Sequence, residues 1–147
     1  MSTSTVRYFA LVLGIIFIVV GIAGFVPGFL AEPVPENDVV AEGAFGRLFG
    51  LFPVNWLHNL VHVAFGVWGI AVYRRFYAAR TYAKAVAVIY AVFAIMGFIP
   101  MLNTTFGLIP LYGHDIWLHL LIAAAAAYFG FARVQSEGEV KRTESAI

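Results

Sequence analysis

The chain has 147 residues, of which 62% are hydrophobic and only 12% are charged. A soluble domain of this size could not bury so much apolar surface, because a small globule leaves a large share of its surface exposed. The formal net charge of +1 excludes the concentrated basic surface of a nucleic-acid-binding protein, and the absence of cysteine excludes disulfides and thiolate metal sites. The composition therefore predicts a membrane protein whose first partner is the lipid bilayer.

Four apolar runs without Asp, Glu, Lys or Arg follow one another along the chain, and each is 17 residues or longer. A helix needs about 20 apolar residues to cross the hydrocarbon core of a membrane. The runs lack the alternation of barrel strands, so helices are the structure that satisfies their backbone groups in lipid. The sequence predicts an all-α fold, an integral membrane four-helix bundle within residues 1–135, with helices at about 7–25, 55–76, 79–102 and 115–135.

The segments outside these helices are predicted to differ in character. Residues 26–54 form an outer loop, and its apolar part Ala44–Phe52 is too short to span, so we interpret it as an interfacial or re-entrant piece folded over the bundle. Residues 1–6 are polar and expected to be loose. Residues 136–147 are charged and aperiodic, which predicts a disordered cytoplasmic tail.

The distribution of lysine and arginine predicts the orientation in the membrane. The loop between the second and third helices is basic, and so are the segments before the first helix and after the fourth, whereas the remaining two loops contain only Arg47. Basic residues in short loops remain in the cytoplasm. We therefore expect a multi-pass protein of the plasma membrane with both termini in the cytoplasm. The basic positions that decide this are Arg7, Arg74, Arg75, Arg80, Lys84, Arg133, Lys141 and Arg142.

Three short segments recur in the same order in the two halves of the chain. Residues 24–27 match 97–100, residues 49–53 match 106–110, and the Trp-Leu-His of 56–58 returns at 117–119. Each half is predicted to start in the cytoplasm, so the repeat is parallel and its pseudo-twofold axis lies along the membrane normal. The sequence thus predicts a bundle built from a duplicated helix pair, in which His58 corresponds to His119.

The run LFPVNWLHNLVH at residues 51–62, together with Trp117-Leu118-His119, resembles a bacterial family of four-helix membrane proteins that is common in actinobacteria and cyanobacteria. That family is known only as a domain of unknown function. The resemblance extends from the turn at Gly24 to the fourth helix. It implies a small integral protein of the bacterial inner membrane, and it implies no particular activity.

Histidines supply the candidate chemistry of the chain. His58 and His62 are four residues apart and so lie on one face of the second helix, while His119 opens the fourth helix and His114 precedes it. Imidazole is the commonest protein ligand for zinc, copper and haem iron. The sequence therefore indicates a haem or transition-metal site at His58, His62 and His119. Asp115 lies four residues before His119, and its carboxylate is expected to orient the His119 ring by a hydrogen bond without binding the metal itself.

A structural role explains the same residues without a ligand. Polar side chains in membrane helices commonly form hydrogen bonds to neighbouring helices. Asn55 and Asp115 are suitable N-caps for the second and fourth helices. Asn59 stands where the His-Glu-x-x-His pattern carries its general base, which excludes a metalloprotease of that type. The histidines are therefore structural, metal-binding or part of a proton or small-molecule pathway.

Small residues recur at helical spacing on the first and second helices. Gly14 on the first helix and Gly66 and Gly69 on the second predict close helix packing. His62 shares the face of Gly66 and Gly69, so we expect it to point into the bundle towards His119.

Three functions remain open from the sequence. The first is a non-enzymatic accessory or scaffold subunit, with another membrane protein or a second copy as its partner, because no catalytic set of side chains is visible. The second is a redox protein that binds haem or a metal through the outer-half histidines. The third is a small transporter or lipid-binding protein that uses the duplicated pair.

Overall fold

The computed structural model describes residues 1–33 and 39–134, and its framework is a set of four helices. They are α1 (Thr3–Ala23), α2 (Trp56–Val72), α3 (Phe76–Gly97) and α4 (His114–Phe131). The all-α fold class is confirmed. The expected tail at 136–147 lies outside the described residues, as does the centre of the first outer loop.

The first helix starts earlier than the sequence predicted. Residues 1–6 were expected to be loose, but α1 begins at Thr3 because Ser2 caps it. The Ser2 hydroxyl accepts a hydrogen bond from the Thr5 amide at 3.2 Å, which satisfies one of the free amides of the first turn.

The boundary between the second and third helices lies about three or four residues before the predicted one. α2 ends at Val72 rather than 76 and α3 begins at Phe76 rather than 79, because Arg75 has extended backbone angles of φ −114° and ψ 109°. α3 ends at Gly97, before the predicted 102. Pro100 disfavours helical angles at the residue before it, so the helix cannot continue through this segment.

The outer loop folds into a small antiparallel sheet, which differs from the interfacial or re-entrant piece expected at Ala44–Phe52. Its strands are β1 (Leu30–Ala31), β2 (Gly46–Leu48) and β3 (Phe52–Val54), in the order β1-β2-β3. Leu48 pairs with Leu30 on one side and with Phe52 on the other. Leu48 and Val54 pack against Ala23, so the sheet covers the carboxyl end of α1.

The helices pack mainly as two pairs, α1 with α2 and α3 with α4, and α1 also meets α3. Glycines allow the first pair to approach closely. A side chain at Gly14 would come within 2.8 Å of the Gly66 carbonyl oxygen, and one at Gly66 would come within 2.7 Å of the Gly14 carbonyl oxygen. Between the pairs lies an apolar core that includes the buried rings of Phe17, Tyr82 and Tyr90.

The outward faces of the helices are also apolar. More than half of the side chain surface is exposed at Val12, Val19, Val67, Val88, Ile95 and Leu121. A helix that is hydrophobic all round requires apolar surroundings. Within the described residues, α1, α3 and α4 are long and apolar enough to cross a membrane, while α2 is a shorter apolar helix of 17 residues. Length and composition thus indicate a membrane protein.

The two halves share a local backbone feature at positions that the predicted repeat matches. Phe49 and Gly50 have positive φ angles of 53° and 74°, and Phe106 and Gly107 have positive φ angles of 57° and 86°. Non-glycine residues adopt this left-handed conformation rarely. The shared feature and the packing in pairs support the duplication, which remains a prediction.

Arginines near one end of the bundle bind the carboxyl ends of α2 and α4. Arg7 donates from Nε to the carbonyl of Tyr73, and Arg80 donates to the carbonyls of Gly130 and Ala132. Cations at these positions satisfy carbonyl groups that the helices leave unpaired. Arg7 and Arg80, two of the basic residues that the sequence assigned to the cytoplasm, therefore lie at the same end of the bundle.

Candidate metal centre

Three histidines from two helices meet inside the bundle. His58 and His62 lie on successive turns of α2, and His119 lies on α4. Their exposed fractions are 2%, 5% and 1%. One potential ligand atom from each lies within 4.8 Å of the others. His62 therefore points into the bundle towards α4, as its position beside Gly66 and Gly69 led us to expect.

The rings are arranged closely and at different angles. His58 and His62 stack with centroids 4.6 Å apart and an angle of 17° between their planes. His58 and His119, which the repeat matches, are 6.1 Å apart and inclined at 48°. Two ligands of one tetrahedral zinc ion are about 3.4 Å apart, given Zn–N bonds of about 2.0–2.1 Å, so ring movements of about 1 Å would bring the three nitrogens onto a shared ion.

Asn55 fixes the start of α2 and with it the position of His58. Its side-chain oxygen accepts a hydrogen bond from the His58 amide at 2.9 Å, which confirms the predicted N-cap. Its Nδ2 donates to the carbonyls of Ala41 and Leu108, at 3.0 and 2.7 Å. The fully buried amide thus joins the first outer loop, α2 and the loop that precedes α4.

We expect Asn55→Ala to lower the free energy of unfolding by roughly 2–5 kcal/mol, because it removes the helix cap and leaves two carbonyls without their donor. Asn55→Ser restores a cap and should recover about 1 kcal/mol of this loss. Reversible unfolding in detergent, followed by helical circular dichroism, measures both variants. Wild-type stability in Asn55→Ala would contradict the linking role.

Asp115 lies beside the histidines and does not cap α4, which corrects the predicted N-cap. Gly113 is the N-cap, with φ 67° and ψ −132°, so α4 begins at His114. Glycine adopts such angles without steric cost. Asp115 consequently falls inside the first turn, on the same face as His119, and it is 2% exposed.

The Asp115 carboxylate faces two of the three rings. Its Oδ2 lies 3.5 Å from Nε2 of His119 and 3.9 Å from Nε2 of His58. Both separations exceed the normal length of a hydrogen bond, about 2.7–3.2 Å. The carboxylate is therefore near enough to orient both rings after a small movement, and it is the one acidic group placed beside them in the described part of the chain.

Several buried polar atoms of this cluster lack a hydrogen-bond partner within residues 1–33 and 39–134. They are Nδ1 of His58, His62 and His119, together with Oδ2 of Asp115. An unsatisfied buried polar group costs about 1–3 kcal/mol. Four such atoms in one place indicate that the cluster is arranged for an additional partner.

A cavity of about 30 Å³ adjoins the histidines. It is lined by His58, Val61, His62, Tyr90, Phe93, Thr105, Ile109, Leu111 and His119. A cavity of this kind holds a water molecule once it exceeds about 10–15 Å³. Sites for larger organic ligands measure roughly 300 Å³ or more. The space fits an ion with one small ligand and is too small for a porphyrin, so the geometry favours a metal ion over haem.

Aromatic rings surround the cluster. The Tyr90 ring meets His119 edge-on at 5.0 Å, Phe93 lies 5.8 Å from His119, and Phe17 lies 5.6 Å from His62. None of these aromatic neighbours could be identified from the sequence, because nothing in the sequence of an apolar helix marks which of its faces meets a histidine.

The loop between α3 and α4 also contributes to the site. Thr105 and Ile109 line the cavity, and neither was predicted from the sequence as a residue of the site. The repeat carried a signal for Ile109, since residues 106–110 match residues 49–53, which lie just before the helix that carries His58.

His114 and Asn59 lie apart from the cavity. His114 is exposed and lines a separate outer pocket together with Arg47 and Tyr112. Asn59 is fully buried and faces the end of α1, where a side chain at Gly24 would overlap its amide. The structure therefore brings together His58, His62, His119 and Asp115.

Residues 7–132 match the protein family described as Domain of unknown function (DUF4383). The chain belongs to this family. The match confirms the resemblance inferred from the sequence. No curated protein and no solved structure matches this DUF4383 chain.

Proposed function

We propose that this protein is a multi-pass membrane protein that holds one divalent first-row transition-metal ion through His58, His62 and His119. The observation that carries the proposal is the convergence of three buried imidazoles, with one potential ligand nitrogen from each ring within 4.8 Å of the others. Such a set is costly to bury unless a partner satisfies it. A bound ion would bind one nitrogen of each of the three rings at once.

The types of ligand limit the ion. Imidazole suits zinc, copper, iron and nickel, whereas the soft thiolate ligands that favour copper(I) are absent because the chain has no cysteine. Asp115 is the one acidic side chain beside the rings in the described residues, and its ionised form would balance part of the charge of a divalent cation. We take Zn²⁺ as the first probe because it accepts three histidines in a tetrahedral site.

The bundle is proposed to cross the bacterial inner membrane four times, with both termini in the cytoplasm. α2 belongs to this set despite its length, because 17 residues is the lower limit for a spanning helix and α2 packs along α1. The gathering of arginines at one end supports this orientation. The metal centre then lies in the half of the bundle next to the outer sheet, away from the cytoplasm.

Cysteine labelling tests the orientation, and the cysteine-free chain gives it no background. We expect Val40→Cys to react with an impermeant maleimide in intact cells and Tyr77→Cys to react only after permeabilisation. Both side chains are exposed, at 80% and 82% respectively. Labelling of Tyr77→Cys from outside would overturn the proposed orientation.

Metal analysis tests the binding function. Protein purified in detergent, stripped with chelator and incubated with zinc should retain one ion per chain. A zinc-free protein that gains neither an ion nor thermal stability would leave the histidines structural and favour the accessory or scaffold role. A strong Soret band in the visible spectrum would instead favour haem.

A further inference from the structure

We infer that the bound ion keeps one coordination position open to the adjoining cavity, where it takes an exchangeable ligand of one to three non-hydrogen atoms. The inference rests on the proposed function, since it requires an ion on the three histidines. An open coordination position would make the centre a reactive or ligand-binding site rather than a structural one.

The number of protein ligands is the first argument. Structural zinc sites have four protein ligands, whereas sites with three keep a position for water or another small molecule. The described residues place three histidine nitrogens within mutual reach. The ion therefore needs a fourth ligand that comes from outside the trio.

The cavity lies where the fourth ligand of the ion must be. All three histidines line it, and its volume of about 30 Å³ exceeds what one water molecule requires. A space that adjoined only one ring could not serve the shared ion. The open position therefore faces this cavity.

The walls of the cavity define the class of ligand. Apart from the histidines they consist mainly of Val61, Phe93, Ile109 and Leu111. The Thr105 hydroxyl is engaged with the Ile109 carbonyl at 3.1 Å. With few polar groups to recognise a larger polar molecule, the site fits water, hydroxide, a small monoanion or a small neutral molecule.

Asp115 is the competing candidate for the fourth position. Its Oδ2 lies near Nε2 of His58 and of His119, but the residue is not among those that line the cavity. A carboxylate that faces the rings from outside the cavity is placed to orient them and balance charge. The open position is thus left to an external ligand.

Cobalt substitution tests the inference, because the visible bands of Co²⁺ report its ligands. Azide has three atoms in a line and should shift these bands saturably, whereas 4-methylimidazole is too large and should leave them unchanged. Bands that do not respond to azide would overturn the inference. Failure to bind Co²⁺ or Zn²⁺ at all would overturn the proposed function as well, so the two failures are distinct.

Two variants sharpen the test. Ile109→Ala enlarges the cavity and should raise the affinity for 4-methylimidazole about tenfold or more. Ile89→Ala removes the same atoms at a half-buried position away from the cavity, and it should leave the affinity for 4-methylimidazole unchanged. If Asp115 were the fourth ligand, azide would shift the bands only in Asp115→Asn, and that result would also overturn the inference.

Discussion

His62→Ala is expected to abolish retention of the metal ion, with a loss of affinity of more than about 100-fold. Replacing a group that merely orients a ligand already costs about 10–100-fold in metal affinity, so removal of a ligand costs more. His62 lies one turn further along α2 than His58, and its ring stacks on that of His58. Two remaining imidazoles cannot complete the site. Zinc content after dialysis and a direct zinc titration measure the loss.

The matched control is His114→Ala. His114 is exposed, at the first position of α4, and lines the outer pocket instead of the cavity. The His114→Ala variant should retain one zinc ion per chain. Retention of zinc by His62→Ala would contradict the proposed centre.

Thermal stability separates the metal role of His62 from a structural one. An ion at 100 times its dissociation constant stabilises a protein by about 2.7 kcal/mol. Wild-type protein should gain that stability with zinc, whereas His62→Ala should gain none. If both proteins lack a zinc response and the variant is less stable, His62 serves only the packing of the bundle.

The apolar helices, their number and the proximity of the three histidines could be predicted from the sequence. Long apolar runs admit few alternatives, because backbone groups in lipid must pair within the segment. His58 and His62 are four residues apart and therefore lie on one face of α2 wherever that helix begins or ends. The repeat matched His119 with His58. These relations do not depend on the exact start or end of a helix.

The features that the sequence did not reveal depend on local detail. Asp115 was expected to cap α4, but the helix begins at His114 because Gly113 adopts an unusual backbone conformation. A shift of two residues in the start of α4 therefore places Asp115 beside the histidine cluster instead of at the cap. The small sheet depends on the tight turn at Phe49 and Gly50. The positive φ angles of these two residues cannot be predicted from the apolar composition of the segment.

Gly66→Leu is expected to lower the free energy of unfolding, because it separates α1 from α2. Even a methyl group at Gly66 would lie 2.7 Å from the Gly14 carbonyl and 2.9 Å from the Ile18 amide. These are backbone atoms, so they cannot rotate away as a side chain can. Overpacking costs about 1–3 kcal/mol or more, which outweighs the gain of about 1 kcal/mol in helix propensity.

The control for Gly66→Leu is Val67→Leu, one residue further along α2. Val67 is 55% exposed on the outer face, so added volume there meets no neighbouring helix. Its effect should stay within about 0.5 kcal/mol. Unfolding in detergent compares the two variants, and equal stability of Gly66→Leu and Val67→Leu would show that the close approach of α1 and α2 is not needed.

Because α2 carries two of the three proposed ligands, the separation of the helices should also reach the metal centre. Gly66 lies one turn beyond His62 on the same face. We expect the milder variant Gly66→Ala to remain folded, to shift α2 away from α1 and to bind zinc more weakly than wild type. Adding Gly14→Ala should then cost less than it does alone, since the first substitution has already separated the helices at this contact. Additive losses in the double variant would indicate that the two glycines act independently, and unchanged zinc affinity would place the metal centre beyond the influence of this helix pair.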